Sequence, residues 1–470
     1  RGHDLIEALN PRGLVESAQG HWAGEHDYAL KLKLREAGVR TYQNLPGITG
    51  LSARLQATQD EGEVELEGRE LDLDWPRVFR QNLNFTRLDA KARWNMKPDG
   101  LHLNFDAERI NNPDLDGTAQ GRIDLPATGA PRVDITAHLS RGEAMAVHRY
   151  LPHQVADNAY QWLKRGLVGG HSDDVRLTLK GPLDRFPFDK GGGEFRISVN
   201  MVDGALDYAP GWPRIEHVHG QLVFHGMAMR IEADSGAILG TRLGPVKVVI
   251  PDLHYSYDET VFVDGRASGE TRAFLDFIRQ SPVDEYTDGF TAPFKATGQG
   301  ELALSLRIPI RNVDATTVSG NFAFQDNRLE PGGDLPVLEQ LSGVVGFTDK
   351  ELKAKGVRVH ILGQTAQLDI NSAPGGQLRV KLAGRASAEG LRPHLPPALA
   401  GRISGAADWH ADIGLNASRK TEVSVISDLT GLAVSLPAPL GKSAGQAVAL
   451  SLIKRPGANG QDEIVARHGA

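Results

Sequence analysis

The sequence predicts a mostly β protein: an elongated array of antiparallel β-sheet repeats, forming a repeating β-groove, with a few short helices. Three observations support this prediction. Apolar and polar residues alternate along many segments, similar segments recur at intervals of roughly 120 residues, and helical patterns are few. Aromatic residues make up only 6% of the chain, while glycine accounts for 53 of its 470 residues. This composition is more typical of repeated β-structure than of a compact enzyme core.

The strands are predicted from alternation with a period of two. The longest example consists of Leu302, Leu304, Leu306, Ile308 and Ile310, which are separated by Ala303, Ser305, Arg307 and Pro309. Alternation places the apolar side chains on one face of a strand, as in antiparallel sheets with one face in water. Such faces could form the core of ordinary β-sandwiches or of a barrel, but the helices are too few to cover them and the aromatic residues too few to fill a thick core. We therefore predict that the apolar faces line an open groove. The residues assigned to this lining are Leu30, Leu32, Leu34, Leu101, Leu103, Phe105, Leu177, Leu179, Ile197, Val199, Leu302, Leu304, Leu306, Ile308, Leu378, Val380 and Leu382.

Short helices are predicted at three places. Ser140 and Glu143 have the spacing of a capping box. Pro152 begins a second helical pattern that ends at Gly166, and a third helix is expected after Ser268. Each helix follows a strand and is too short to form a separate helical domain. We interpret them as plugs or lids on a sheet.

Internal similarity determines the predicted organisation. The segment from Asp203 recurs 123 residues later from Asp326, and the motif at Gly265 returns after 119 residues at Gly384. A weaker copy begins at Gly38. The pairs expected to be structurally equivalent are Pro213/Pro336, Gly220/Gly343, Phe224/Phe347 and Gly240/Gly363. We predict one continuous array with these parts: 1–140, the first β-groove unit or units; 141–265, short helices and a second β-unit; 266–388, a third; 389–470, a partial fourth.

Composition excludes several classes of protein. The 52 basic and 59 acidic residues give a net charge of −7 without blocks of like charge, which argues against nucleic-acid binding. The sequence contains no run of 18 apolar residues, so it predicts no membrane-spanning helix. The absence of cysteine excludes disulfides and thiolate sites. Because the chain begins at Arg1 without a signal-peptide pattern, we expect a processed or interior piece.

Candidate catalytic and metal sites are weak. A metal site is suggested by His217, His219 and His225. However, the positions 123 residues later hold Gln, Ser and Thr, so we interpret the histidine positions as requiring a polar side chain rather than a metal ligand. The acidic pair Asp173/Asp174, like the pair 114/116, is expected by chance in a chain with 59 acids. The glycine-rich segments lack the Lys-Ser/Thr of a phosphate loop. We predict no catalytic residues, no metal ligands and no cofactor.

Three segments carry motifs that can be compared with known families. They are Trp-Leu-Lys-Arg-Gly-Leu-Val-Gly-Gly at 162–170, Gly-Pro-Leu followed by Phe-Pro-Phe within 181–188, and Leu-Pro-Ala-Pro-Leu-Gly-Lys at 436–442. Together they resemble the AsmA-like envelope protein family, and most closely its YhdP branch. The resemblance implies a periplasmic β-groove in a diderm bacterium, along which phospholipids move. It also implies that the full-length protein is anchored in the inner membrane and reaches toward the outer membrane.

From the resemblance and the apolar stripes, we expect a non-enzymatic bridge segment whose groove holds phospholipid acyl chains. The expected partners are phospholipids, and membranes through parts of the full-length protein that are absent here. We expect a monomer that does not bind nucleic acid. One alternative is a rigid envelope spacer made of closed β-sandwich repeats without lipid conduction. Another is a polysaccharide-binding or polysaccharide-cleaving β-protein. An apolar trough open to solvent distinguishes the first function from both alternatives.

Overall fold

The architecture is antiparallel β-sheet with a few short helices, as the alternation predicts. The computed structural model describes residues 7–24, 27–43, 45–253, 259–332, 335–373, 377–415, 421–437, 440–456 and 462–469. Strands account for 66% of the residues that the structure describes, and the sheet is not closed. The mostly β fold class is therefore confirmed.

The strands range from three to sixteen residues. They are β1 (Arg12–Gly24), β2 (Asp27–Val39), β3 (Gly47–Thr58), β4 (Glu61–Asp74), β5 (Leu83–Lys97), β6 (Gly100–Asn112), β7 (Leu115–Pro126), β8 (Arg132–Glu143), β9 (Leu167–Pro182), β10 (Glu194–Leu206), β11 (Ile215–His225), β12 (Ala228–Ile238), β13 (Thr241–Ile250), β14 (Thr260–Glu270), β15 (Lys295–Pro309), β16 (Thr317–Glu330), β17 (Leu338–Thr348), β18 (Leu352–Ile361), β19 (Gln364–Ala373), β20 (Gln377–Ser387), β21 (Ile403–Leu415), β22 (Thr421–Ser427), β23 (Leu432–Val434), β24 (Leu450–Pro456) and β25 (Asp462–His468).

Short helices occur between some of the strands. The α-helices are α1 (Asp157–Gly166), α2 (Thr271–Arg279), α3 (Val283–Tyr286), α4 (Ala388–Leu391) and α5 (Pro397–Ala400). The 3₁₀ helices are Ala144–Tyr150, Leu183–Arg185, Val313–Ala315 and Arg392–His394. Within the described ranges, none of the helices has the length and apolarity needed to cross a membrane.

The predicted helix starts were wrong in detail. Ser140 lies inside β8 because strand pairing with β7 continues past it. Its hydroxyl donates to the Asp116 carbonyl at 3.4 Å. The first helix is therefore the 3₁₀ helix that follows Glu143. Pro152 bridges to Phe79, and α1 begins only at residue 157. Ser268 likewise lies within β14, and α2 begins one residue after that strand ends.

The chain divides into two compact units, which we describe separately. The first comprises Arg1–Ala237 with Pro245–Thr260, and the second comprises Ile238–Gly244 with Val261–Ala470. In the first unit, the strands from β1 to β12 pair antiparallel in sequence order. In the second, β15 to β22 pair in the same way, β22 continues to β24 and β25, and β23 pairs with β21. The four-part division of the sequence stays a prediction.

Positions 123 residues apart adopt the same local backbone. Asp203 and Asp326 have φ of 53° and 52°, and each lies at a bulge in its strand. His217 and Gln340 have φ of 55° and 50° in the following strands. The bounds of β11 and β17 also coincide after this shift. The repeat seen in the sequence is therefore a repeat of strand and bulge positions.

The weaker copy near the start of the chain follows the same pattern. Glu36 has φ of 49° and Gly50 has φ of 78°. They lie 167 residues before Asp203 and His217, and a shift of 167 also aligns the bounds of β2 and β10. A β-bulge bends its strand and increases the local twist. Each copy thus bends its sheet at equivalent places.

Candidate functional site

Strand register places the predicted lining residues of the first unit on one face. In an antiparallel pair, residues directly opposite each other point to the same side of the sheet. Leu32 lies opposite Leu55, and the same row continues through strand after strand. Its members from β2 to β10 are Leu32, Leu55, Val64, Ala92, Phe105, Gly121, Ile135, Leu179 and Phe195.

Two parallel rows flank this central row. The row that contains Leu30 and Leu103 consists of Leu30, Ala57, Gly62, Trp94, Leu103, Ile123 and Val133. The row that contains Leu34, Leu177 and Ile197 consists of Leu34, Ala53, Leu66, Ala90, Ala107, Ala119, Ala137, Leu177, Ile197, Phe224 and Met229.

The remaining predicted residues of this unit extend the same surface. Leu101 lies opposite Leu125, one row beyond Leu103. Val199 lies opposite Val175 and Leu222, one row beyond Ile197. We call this surface the apolar face of the first unit.

The second unit has an apolar face of its own. One row joins the predicted residues Leu302 and Val380, and it consists of Leu302, Phe322, Val345, Ala354, Ile370, Val380, Ile413 and Val423. Leu304 lies opposite Gly320, and Leu306 lies opposite Val318. On β20, Leu382 lies opposite Leu368 and Ala411, while Leu378 lies opposite Ser372 and Leu415. Ile308 continues the alternation of β15 toward the strand end.

The lining residues are half-buried rather than sealed in a core. Sixteen of the seventeen are half-buried, and Leu382, at 5% exposed, is the buried exception. A two-layer sandwich would bury such leucines against a second sheet. The faces therefore expose rows of aliphatic side chains that solvent or an apolar ligand can reach.

The opposite face is charged and pairs its charges across neighbouring strands. Lys180 lies 2.7 Å from Asp134, and the guanidinium of Arg93 lies 3.3 Å from the Glu63 carboxylate. Both pairs join residues that are directly opposite in the ladder. The sheet of the first unit is thus amphipathic across its thickness.

Sequence reasoning missed several residues of these faces. Val64 and Leu66 alternate with glutamates in β4, and this alternation is visible in the sequence. In the second unit, Phe322 lies against Phe274 of α2 with ring centroids 5.0 Å apart, and Phe324 is 4.8 Å from Phe322. No local sequence pattern predicts these ring contacts, because they depend on where α2 packs against the sheet.

The histidine group does not form a cluster in the structure. The Nδ1 atom of His217 lies 2.7 Å from an Asp203 carboxylate oxygen, and this hydrogen bond raises the pKa of the imidazole. Residue 217 occupies the positive-φ bulge, so the alternation that would align it with His219 is broken there. Across the described part of the chain, no group of three or more acidic, histidine or cysteine side chains has the geometry to hold a metal ion.

The candidate carboxylates belong to ion pairs and hydrogen bonds. The Arg176 guanidinium, 3.0 Å from Asp174, lowers the pKa of that carboxyl, and Asp173 accepts a hydrogen bond from Asn200. The structure therefore gives this pair ordinary surface roles.

A cleft of about 490 Å³ is lined mostly by polar residues, among them Asn112, Asp114 and Tyr150, and no sequence pattern predicts it. Asn112 is 6% exposed and donates to the Tyr150 hydroxyl at 2.8 Å. Asp114 accepts from that hydroxyl at 3.0 Å and from Arg149 at 2.8 Å. Burial raises the pKa of Tyr150 to about 12. These polar groups bond to each other and hold the 3₁₀ helix at residues 144–150 against the strand ends.

Comparison with known proteins identifies the family of this chain. A sequence model of the YhdP protein family matches residues 3–470. The intermembrane phospholipid transporter YhdP of Escherichia coli (strain K12) is 24% identical over 448 residues, which cover 92% of this chain and 34% of that protein. The chain thus spans about a third of that relative's length. No solved structure matches significantly. The resemblance seen in the sequence is confirmed, and the chain belongs to the YhdP protein family.

Proposed function

We propose that this chain is a segment of a periplasmic bridge that carries phospholipids between the inner and outer membranes of a diderm bacterium. The acyl chains lie against the apolar faces, and the full-length protein is anchored in the inner membrane. The observation that carries the proposal is the continuity of the apolar rows, one of which runs without a charged residue from Leu34 in β2 to Met229 in β12. The name of the Escherichia coli relative supports the same function.

The energetics of lipid movement require such continuity. Removing a phospholipid from a bilayer exposes about 30 methylene groups at ~0.8 kcal/mol each, or on the order of 25 kcal/mol. A conduit must therefore keep the chains in contact with apolar surface throughout, while the headgroup remains in water. Half-buried aliphatic rows provide that surface, and no bond is made or broken. The proposed activity is therefore non-enzymatic, and a monomer suffices.

The proposal predicts a strong effect of charge placed on the apolar face. The double variant Leu304→Asp and Leu306→Asp puts two carboxylates on neighbouring apolar positions of β15. Each charge costs about 2.5–3.5 kcal/mol in a hydrocarbon setting, so phospholipid transfer between donor and acceptor vesicles should fall at least a hundredfold, since ~1.4 kcal/mol is a factor of ten. The measurement is transfer of a fluorescent phospholipid.

The matched control places two carboxylates on the polar face. Thr317→Asp and Ser319→Asp lie two residues apart on β16, where both side chains are exposed. Residue 317 lies opposite Arg307, which tolerates a carboxylate. Ser305 is a poorer control because its hydroxyl already donates to Asp264 at 2.6 Å. A folded apolar-face variant that transfers lipid at the wild-type rate contradicts the proposal, as does equal loss in the control.

The competing function is a rigid spacer with closed, dry repeats. Mass spectrometry of material extracted from the purified chain separates the two. We expect phospholipid to be extracted with the chain, whereas a spacer yields none.

A further inference from the structure

The two long edges of the first apolar face differ. We define the hairpin edge by the turns at residues 59–60, 98–99 and 127–131, and the bulged edge by the connections at residues 40–46, 75–82 and 113–114. Glu36, Glu70 and Asp203, with φ near 50°, all lie in the half of their strands next to the bulged edge. The register shifts between β6 and β7 and between β7 and β8 lie in the same half. Bending is thus concentrated along one edge.

Around the β4–β5 connection, the bulged edge is packed with apolar side chains. Leu71, Leu83 and Phe85 are 4%, 5% and 7% exposed and form a buried cluster. Phe79 of the β4–β5 connection and Tyr150 of the 3₁₀ helix pack against that cluster. An acyl chain that reaches this cluster therefore meets buried apolar side chains, while the cleft lined by Asn112 and Asp114 lies beside it.

The hairpin edge is open. Met96 and Leu125 lie on the apolar face next to the turns, on either side of Leu101, and are 53% and 42% exposed. Farther along, in β9–β10, the turn covers its strand ends locally, because the ring of Phe188 lies over Gly181 and Gly193. Within β4, β5 and β7, however, the buried apolar side chains Leu71, Leu83 and Phe85 lie toward the bulged edge, and the exposed Met96 and Leu125 lie toward the hairpin edge.

The second unit shows the same gradient. Near the helices, Leu341 and Ala407 are 3% and 4% exposed. At the hairpin ends of β15 and β25, Ile310 and Ile464 are 40% and 68% exposed. In both units, the apolar side chains are buried toward one edge of the sheet and exposed toward the other. Because different residues produce this difference in each unit, we infer that it serves a function.

This gradient matches a molecule with an apolar end and a polar end. From Met96 to Ala90, both on the apolar face of β5, the strand rises roughly 20 Å at ~3.3 Å per residue. One leaflet of a ~30 Å hydrocarbon core is about 15 Å thick, so a single acyl chain fits within the width of the face. Met96, at the outer end of that span, is 53% exposed, whereas Ala90, at its inner end, is half-buried.

We propose that phospholipids lie with their acyl chains along the strands, pointing to the bulged edge, and with their headgroups at the hairpin edge. Lipids then move from strand to strand with their headgroups following the hairpin turns. This inference rests on the proposed function and adds the orientation of the lipid to it.

The test uses single cysteines in a chain that has none of its own. Met96→Cys and Ala90→Cys are placed at the outer and inner rows of β5, and Arg93→Cys on its polar face is the matched control. Each cysteine of the 470-residue chain carries a fluorophore. Phosphatidylcholine with a nitroxide on the headgroup, or near the end of one acyl chain, is the quencher. Circular dichroism verifies that each labelled variant keeps its β-structure.

We expect the ratio of headgroup to tail quenching to exceed unity at position 96 and to fall below unity at position 90, with little quenching by either lipid at position 93. A reversed gradient, or equal ratios at positions 96 and 90, overturns the proposed orientation but leaves lipid binding intact. Absence of quenching by both lipids at both apolar-face positions contradicts the proposed function itself. The two failures are therefore distinguishable.

Discussion

At the scale of single residues, Asn327 joins α2 to the sheet of the second unit. Its side chain is fully buried, with 0% exposure. The amide nitrogen donates to the Thr271 hydroxyl at 2.5 Å and to the Thr297 carbonyl at 3.1 Å, and the amide oxygen accepts from the Gln325 backbone nitrogen at 2.7 Å. Buried polar groups need such partners. Asn327 therefore fixes the position of the helix that carries Phe274 onto the apolar face.

Asn327→Ala should destabilise the chain strongly. The buried Thr271 hydroxyl loses its partner, and a buried group left unpaired costs about 1–3 kcal/mol, so the free energy of unfolding should fall by at least about 1 kcal/mol. Urea denaturation measures the change. Asn321→Ala, an exposed site on the same strand, should stay within about 0.5 kcal/mol of wild type. Equal effects of the two substitutions would show that the buried network is unimportant.

Asn327 also shows why some residues resist prediction from sequence. In Gln325-Asp326-Asn327-Arg328, adjacent polar residues suggest a turn, yet the segment is a bulge inside β16. The positive φ of Asp326 interrupts the alternation, and the distant Thr271 satisfies the amide. Both facts depend on tertiary packing, which composition and period do not encode.

At the scale of elements, the strand glycines of the repeat are conformationally constrained. Gly220 and Gly343 have φ of 153° and 147° at equivalent places in β11 and β17. A Cβ atom on Gly220 would lie 2.2 Å from the Glu232 carbonyl oxygen, and one on Gly343 would lie 3.0 Å from the backbone of Val357. Only glycine fits this conformation without strain.

Gly220→Ala and Gly343→Ala should each destabilise their own sheet, and the clash distances predict the larger effect for the first. We expect about 1–3 kcal/mol of strain, the usual range for a residue forced into an unfavourable backbone region. Gly414→Ala on β21 is the control, because a Cβ there meets nothing within 4 Å. Thermal denaturation of the three variants provides the comparison. A variant at position 220 or 343 as stable as the control would show that the two copies are not equivalent there.

Elements were the part of the fold that the sequence predicted best. Alternation is a local property, so the strands around Leu101, Leu177 and Leu304 followed directly from it. Register and side-chain direction then brought the predicted residues of each unit onto one face. Helix starts were less predictable, because strand pairing beyond Ser140 outcompeted a locally favourable cap.

At the scale of the whole molecule, the sequence repeats predict an elongated particle. A compact globule of this length has a radius of gyration of roughly 23 Å by the usual scaling. Small-angle scattering should return a clearly larger value, because repeats that contact only their sequence neighbours build a quasi-one-dimensional molecule. A value close to that of a globule would contradict the array and, with it, a bridge between membranes.

Strand pairing in sequence order has a consequence for evolution. From β1 to β12, each strand pairs with the strands adjacent in sequence. A whole hairpin can therefore be removed, and the strands on either side of it can still pair antiparallel. Adding one hairpin lengthens the row by two strand spacings, about 9.6 Å, and keeps every turn on its own side. Adding one strand alone reverses the chain direction and moves the following turns to the other side. Under the proposed bridge function, a lineage can therefore match the reach of the protein to the width of the envelope by gaining or losing strands in pairs.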